Sequence, residues 1–544
     1  MEAHLIKINL PFLLLFIFAQ SIYTQEISTS VSNNLKAGSG FEFFGERLAR
    51  MKKNYFENFS DVRIFIPKLT VGFRLEYSNP PEYGYNFIGL RKRFIEFETS
   101  GLSIRAGDFY TLFSKGLSIN LSENRNLAFD NGMDGLKLSY ENDFLKAQLI
   151  GGDLNYFEPL SIYLGNPRFE KYKVRAASLE IIPLRNISIG GNFTWSEGLL
   201  PSVISTMDTI EVHIPELFLK TKLGNFDFFA SYAIKRTNLG GKDTSKGSGF
   251  YSSISYSREG FGITFEYKDY RFDIVEPLRR SETFRPTRAL PFQNPPIVHK
   301  EHIFTLTQGM PHIVDFNDEV GFQIDAFYSL SNSITLNTNI ALSSRHYDYE
   351  LNQSTLQFER KKVGSDLFPS LNKLRSPFWE IYLDIEYFLP DEIDSYIRLG
   401  FNRRSETIYD RMNFHTPIQP IRSTTILFEF QKVWSDYIST KFISESQWIL
   451  EFPQTERFFN QFFSIAFNFF SQYSLGLRYE LTTNKFELEN RKNWLVIEGG
   501  YRLGTNHTLI INYGKERGGT VCSNGICRQV LPFDGFRLTL TTNI

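Results

Sequence analysis

Cysteine is almost absent from this 544-residue chain, which has only Cys522 and Cys527. A disulfide-dense or multi-zinc fold is thereby excluded. Beyond the first 24 residues there is no run of 18 or more apolar residues, so helical membrane spans are excluded as well. Neither sign of charge dominates, with 59 Lys and Arg against 60 Asp and Glu. Bulk attraction to nucleic acid is therefore not expected. A nucleophile elbow, a phosphate loop and a zinc signature are all missing. The chain reads as non-enzymatic, with no catalytic residue, cofactor or metal expected.

What is present is aromatic side chains and a rhythm. Aromatics make up 16% of the chain, mostly 54 Phe and 27 Tyr. Such an excess without long apolar runs suits a barrel girdled by aromatics at two interfaces. Residues 1–24 read as a signal peptide: Lys7 precedes an apolar run from Leu10 to Ala19, with cleavage near Ala19 or Thr24. After residue 135, strand-like stretches are joined alternately by a tight turn and a longer polar connection. Tight joints fall at Glu141-Asn142-Asp143, Arg185-Asn186, Gly224-Asn225, Arg258-Glu259-Gly260, Ser329 to Asn332, Ser435-Asp436, Ser471-Gln472 and Gly504-Thr505. Up-and-down outer-membrane barrels have this asymmetry, with short periplasmic turns and long external loops.

Single strands agree. Between Phe378 and Leu389, Trp379, Ile381, Leu383, Ile385 and Tyr387 share one side, and Glu380, Tyr382, Asp384 and Glu386 share the other. Aromatics begin and end the apolar side, about 26 Å apart along the strand. Charges on the second side are tolerable only against water or polar partners, which a closed barrel supplies while pairing every backbone group within lipid. The expected fold is all-β, a transmembrane antiparallel up-and-down β-barrel of about 22 strands, with a range of roughly 20 to 26. It occupies residues 68–544 and follows a 25–67 segment that is periplasmic or lumenal, with room for an extra strand. Phe536, Leu538, Leu540 and Ile544 alternate to the end of the chain. This is how barrels close, and it places the carboxyl terminus in the periplasm of a Gram-negative cell.

Two connections stand out. Residues 269–318 hold six of the 22 prolines, the cluster Arg279, Arg280, Arg285 and Arg288, and three of the eight histidines: His299, His302 and His312. The arginines could line an anion-selective constriction, or meet glycolipid phosphates or a partner. The His-x2-His pair could hold a divalent metal, but packed or solvated loop histidines are expected instead. The other connection, 107–134, contains Asp130-Asn131-Gly132-Met133-Asp134-Gly135, which lacks the spacing and closing glutamate of a calcium loop and reads as a turn. His346, His415 and His507 read as isolated from acidic or serine neighbours. Strand-like sequence by residue 68 leaves too little chain ahead for the plug domain of a TonB-dependent receptor, so these two connections are the internal candidates for filling the lumen.

GDFYTLFSKGLSINLSENRNLAFDNGMDGLKL, NPPIVHKEHIFTLTQGMPHIVDFNDEVGFQ and RGGTVCSNGICRQVLPFDGFRLTLT resemble an uncharacterised family of Bacteroidota outer-membrane barrels. The Cys-x4-Cys hairpin is the most specific mark of that family. Ser523-Asn524 departs from its commoner Ser-Gly-Gly tip. The resemblance implies location and fold, and brings no assigned substrate or site residue. Two roles are expected: a loop-gated conduit for solutes or export substrates, or a scaffold barrel for surface or secretion complexes. Outer-membrane lipid is the expected neighbour in both, and surface proteins are expected partners in the second. Loop 269–318 inside the lumen reads as a constriction, and outside as a docking surface. A lumen sealed by packed charge pairs would tell against a conduit.

Asn524-Gly525 favours a two-residue type I′ turn, which sets Cys522 and Cys527 on a non-hydrogen-bonded pair about 4.5 Å apart at Cα, within disulfide reach. The alternative, a metal-binding pair, lacks a nearby His or acidic ligand. Both thiols are expected to resist maleimide labelling until a reductant is added; full labelling without reductant contradicts the bridge.

Overall fold

The strand Phe378–Phe388 is inside out by the standard of a soluble protein. Phe378, Glu380, Tyr382 and Asp384 are buried, while Ile381, Leu383 and Ile385 are exposed. The computed structural model describes residues 27–544 apart from 45–48, 128, 159–167, 201–207, 273–289, 353, 355–356, 362–366, 391–393, 410–417, 453, 455, 488–489 and 524–525. Within them, 24 strands form a single sheet with every neighbour antiparallel, each hydrogen-bonded to the strand before and after it in the wall. The last wall strand, Phe533–Asn543, pairs with His507–Glu516 on one side and with the first, Ser28–Phe44, on the other. The sheet is a closed barrel, and closure leaves no wall strand with an open edge. Large apolar side chains cover its outside, among them Leu217 at 71% exposure and Leu149 at 54%. A closed barrel with such a coat is what a bilayer solvates.

Twenty-four strands fall within the expected range. The two beyond the 22 counted from residue 68 are Ser28–Phe44 and Ala49–Ile66, so the segment 25–67 supplies wall rather than a periplasmic or lumenal arm. The first of them, STSVSNNLKAGSGFEFF, is mostly small and polar residues, so its two sides differ too little to read as alternation. Residues 1–24 lie outside the described residues.

The turn rhythm separates two rims. On one lie both described chain ends and the short connections, from 67–68 to 504–506, the longest being 389–395. On the other lie the longer connections, including 110–132, 272–318, 345–377 and 517–532. One departure from the expected alternation is Gly240-Gly241, a two-residue turn on the long-loop rim, where Phe226–Leu239 and Lys242–Arg258 stay paired to their tips. In loop 517–532 a small ladder sets Cys522 opposite Cys527, as the turn reading expects; their side chains lie outside the described residues.

Glycine marks two places where neighbouring backbones approach closely. Gly107, Gly135 and Gly152 form one row across three neighbouring strands, and Gly40, Gly535 and Gly514 form another across the closing seam. A Cβ on Gly135 would stand 2.1 Å from the Gly151 carbonyl oxygen, and one on Gly40 would stand 2.2 Å from that of Asp534. No other residue fits such an approach. The barrel is expected to migrate differently on a gel before and after boiling, and Gly135→Val is expected to lower the temperature of that conversion. An unchanged temperature would show that the close approach tolerates a side chain.

Candidate functional site

A wide barrel turns every second side chain of its strands inward, and here those side chains meet two insertions of the chain itself. The first is 110–132. It folds on two short ladders, Thr111–Leu112 with Asn120–Leu121 and Glu123–Asn124 with Phe129–Asp130. Its Phe113, Leu117, Ile119 and Leu121 join one apolar cluster with inward residues of the wall, including Leu154, Val174, Val212 and Ile214. Ser118 donates to the buried Glu216 carboxylate, which also accepts from Asn192 at 2.9 Å and Ser231 at 2.6 Å. Arg74 of the wall holds Asp61 at 2.7 Å and reaches Glu123 of the insertion with both of its terminal nitrogens. Burial alone would raise the Glu123 pKa, but Arg74 and Lys92 outweigh it and hold the carboxyl down at about 2.

The second insertion is the described part of the longest loop, 290–318. Its start is stitched to the first. Asn120 N donates to Phe292 O at 2.7 Å, and the Gln293 amide donates to Leu117 O at 2.9 Å. Asn131 Nδ2 donates to the carbonyls of Asn120 and Pro291, both at 2.7 Å. Asn131 is fully buried, and Asp130 accepts from Gly132 N at 3.0 Å, so this stretch is a structural turn. Val298, β-branched and buried, holds φ at 54°, in the left-handed region. Such strain costs about 1–3 kcal/mol and persists only where surrounding packing fixes it.

Beyond Val298 the ties become polar. His302 Nε2 lies 2.9 Å from Glu380. A one-turn helix, Thr305–Gln308, has its first two amide nitrogens, Thr305 and Leu306, donating to Glu445 at 2.8 and 2.6 Å. Gln447 donates to Leu306 O at 3.1 Å. His312 stacks on Phe378 with ring centroids 4.1 Å apart and bridges Glu406 at 2.9 Å and Glu319 at 3.2 Å. Lys268, fully buried, pairs with Glu319 at 2.6 Å, and Arg404 pairs with Glu406. A small apolar cluster, Phe304 with Tyr382 and Leu427, adds to these ties, and Val314 and Phe316 pack against the larger cluster.

The two ends of the loop are clamped. His346, completely buried, lies 2.9 Å from Asp318 through Nδ1 and 3.1 Å from Asp269 through Nε2. Asp269 and Asp318 bracket the loop, so one imidazole pins both of its roots. The reading of His346 as isolated is thereby corrected: its partners are 28 and 77 residues away in sequence. His507 meets Thr542 at 2.9 Å, and His415 lies outside the described residues.

Of the expected site residues, His299, His302 and His312 are all inside the lumen. His299 and His302 turn to different partners, His299 to Ile297 O at 3.4 Å and His302 to Glu380, so the pair does not converge on a metal. Arg279, Arg280, Arg285 and Arg288 lie outside the described residues. Sequence reasoning missed the acceptors Glu319, Glu380, Glu406 and Glu445, which looked like any other inward polar residue. Among the cavities that the described residues leave are one of about 670 Å³ between 305–319 and the wall beside Arg404, Glu451 and Arg517, and one of about 520 Å³ beside Arg74, Glu76 and Tyr85.

Burial disfavours charged imidazole at His312 and His346, but the flanking carboxylates outweigh it and raise both pKa values. His299, by contrast, is pushed down by burial and by its cationic neighbours. A raised folded pKa means that the stabilisation from His312 and His346 is complete below the unfolded value of about 6.5 and fades as pH rises through the folded one. His312→Gln is therefore expected to lower the melting temperature more at pH 6 than at pH 9, with a loss of about 1–3 kcal/mol at pH 6. An equal loss at both pH values, followed by circular dichroism in detergent, would contradict the charged bridge.

A family model described as "Family of unknown function (DUF6029)" matches residues 6–163 and 211–544. No curated protein matches the chain. Among solved structures, the siderophore receptor PirA from Pseudomonas aeruginosa is similar at a TM-score of 0.44 and 8% identity, covering 94% of this chain and 80% of that one. The translocation pore of the P pilus usher PapC is similar at 0.41 and 7%, covering 94% and 99%. A BenF-like porin from Pseudomonas fluorescens Pf-5 is similar at 0.36 and 9%, covering 78% and 99%. Likenesses this distant assign no activity to the chain.

Proposed function

The chain belongs to this family of unknown function, and we propose that it is a non-enzymatic conduit of a Gram-negative outer membrane, kept shut by its own insertions. The observation that carries this reading is the unequal attachment of the two insertions. Residues 110–132 merge with the wall through a continuous apolar cluster, as a permanent filling does. Residues 299–313 are held chiefly by Glu380, Glu406, Glu445 and Glu319. Polar ties of this kind have water as a ready competitor once it enters, whereas an apolar cluster must be pulled apart as a whole. Segment 299–313 is thus the gate, and the 670 Å³ cavity behind it is the start of a path. Passage of solutes or of export substrates both fit a path of this kind, with the carboxyl terminus and short turns toward the periplasm.

A second reading, a structural barrel supporting a surface or secretion complex, draws on the charge pairs packed in the lumen. Arg517 is held by Glu480 at 2.5 Å and Glu487 at 2.6 Å, and Arg74 by Asp61 and Glu123. Such pairs hold a lumen closed.

Planar-bilayer conductance separates the two. The intact protein is expected to conduct little, and replacement of residues 299–312 by a Gly/Ser linker is expected to raise steady conductance at least about tenfold, since a water-filled barrel of this size is a wide channel. Conductance absent from both forms overturns the conduit and favours the structural barrel.

A further inference from the structure

The outer wall carries a feature that the lumen does not explain. Arg175 pairs with Trp195, Trp195 with His213, His213 with Arg236 and Arg236 with Lys246, each on the next strand. The five therefore lie in one row across the wall. Their chain neighbours Val174, Thr194, Val212, Ile214 and Lys235 are buried in the lumen, so the row faces outward. The Arg175 guanidinium lies 5.4 Å from the Trp195 ring centroid, and the Trp195 indole donates to Glu211 at 3.0 Å.

The height of the row is informative. Arg175 stands ten residues before the short turn that begins at Arg185. At about 3.3 Å per residue and a tilt near 40°, that is about 25 Å above the short-turn rim, the thickness of the apolar band of an outer-membrane barrel. Lys246, at the other end of the row, stands thirteen residues before the turn that begins at Glu259, about 33 Å above that rim, so the row starts at the edge of the apolar band and rises through the headgroup level of the leaflet on the long-loop side. Directly below it, toward the bilayer centre, is an apolar groove of about 600 Å³. Ala147, Ala177 and Gly191 belong to its floor, and Leu149, Phe193 and Leu217 flank it with large exposed side chains.

We infer that this part of the wall, from Leu145–Glu158 to Lys242–Arg258, is a binding site for a phosphorylated glycolipid of that leaflet, its phosphates on the cationic row and an acyl chain in the groove. The inference rests on the membrane placement proposed above. Charge complementarity identifies phosphate: cations at this depth attract anionic headgroups by about 1 kcal/mol each. Width identifies a glycolipid over a glycerophospholipid. The row crosses four strand spacings, about 19 Å, more than one phosphodiester covers. Its next neighbours outward, Asp153, Lys173, Glu197, Glu211 and Asn238, form a second row of acids, amide and amine suited to sugar hydroxyls. One row elsewhere in the wall differs. The row Ile340, Ile381, Arg403, Thr424, Trp448 and Phe459 holds a single cation.

The test is binding of purified lipopolysaccharide to the full-length barrel in detergent, with phosphatidylglycerol and dephosphorylated lipopolysaccharide as competitors. Lipopolysaccharide is expected to bind at least about tenfold more tightly than either. The triple variant Arg175→Gln, Arg236→Gln, Lys246→Gln is expected to lose at least about tenfold, and Ala177→Trp, which fills the groove, is expected to weaken binding with the cations intact. The heat-dependent gel shift reports whether each variant is folded, and the two variants act independently on opposite halves of the site. Equal binding of phosphatidylglycerol overturns the glycolipid assignment, and unchanged affinity in either folded variant overturns the site. A barrel that inserts and folds yet fails these tests leaves the membrane placement standing.

Discussion

Turning the apolar side of each strand toward lipid forces the polar side into a closed interior, and every inward polar group must then find a partner or water. In a narrow barrel, facing side chains do this across the lumen. With 24 strands the interior is too wide for that. The chain answers with its own loops. Glu216 is satisfied by Ser118, Glu445 by the amides of Thr305 and Leu306, and Glu380 by His302. The carboxylates that make the strands amphipathic are the same groups that fix the insertions.

That coupling explains why the interior is divided. On the side of Leu145–Glu158 through Phe261–Arg271 the inward residues include the apolar Leu154, Val174 and Ile214 beside polar ones such as Thr194, Glu216 and Lys235, and the insertion packs its Phe113, Leu117 and Ile119 into the apolar part. On the side of Phe378–Phe388 through Ile438–Glu451 they are carboxylates and amides, and the segment beside them carries histidines and bare helix amides. The glycine rows let neighbouring backbones approach closely, and the Asp269–His346–Asp318 clamp sets where the long loop enters the wall. The polar ties of the long loop thus gather in one half of the lumen, and the larger apolar cluster lies in the other.

Much of the architecture is legible in the sequence alone. Turn chemistry and period-two alternation in Phe378–Phe388 gave the barrel and the inward direction of Glu380, because both are local signals. The opening strand Ser28–Phe44 was not legible, since small polar residues and glycines leave its two sides alike. The site was only half legible. Proline and histidine singled out the long loop, yet its wall partners lie 78, 94 and 140 residues away for His302, His312 and Thr305. Contacts of that range carry no signature in a single sequence. His346 shows the same limit, since the aspartates that hold it join it only when the barrel closes around the loop roots.

The claim on which the rest turns is that residues 299–313 dock inside the lumen of the membrane-embedded protein. Amide hydrogen exchange of that peptide in lipid bilayers measures this directly, because the Thr305 and Leu306 amides are bound to Glu445 only in the docked state. The account predicts slow exchange for these two amides, with Glu445→Gln making them exchange markedly faster while the wall strands stay protected. Exchange at the rate of an open loop in the unmodified protein would contradict it.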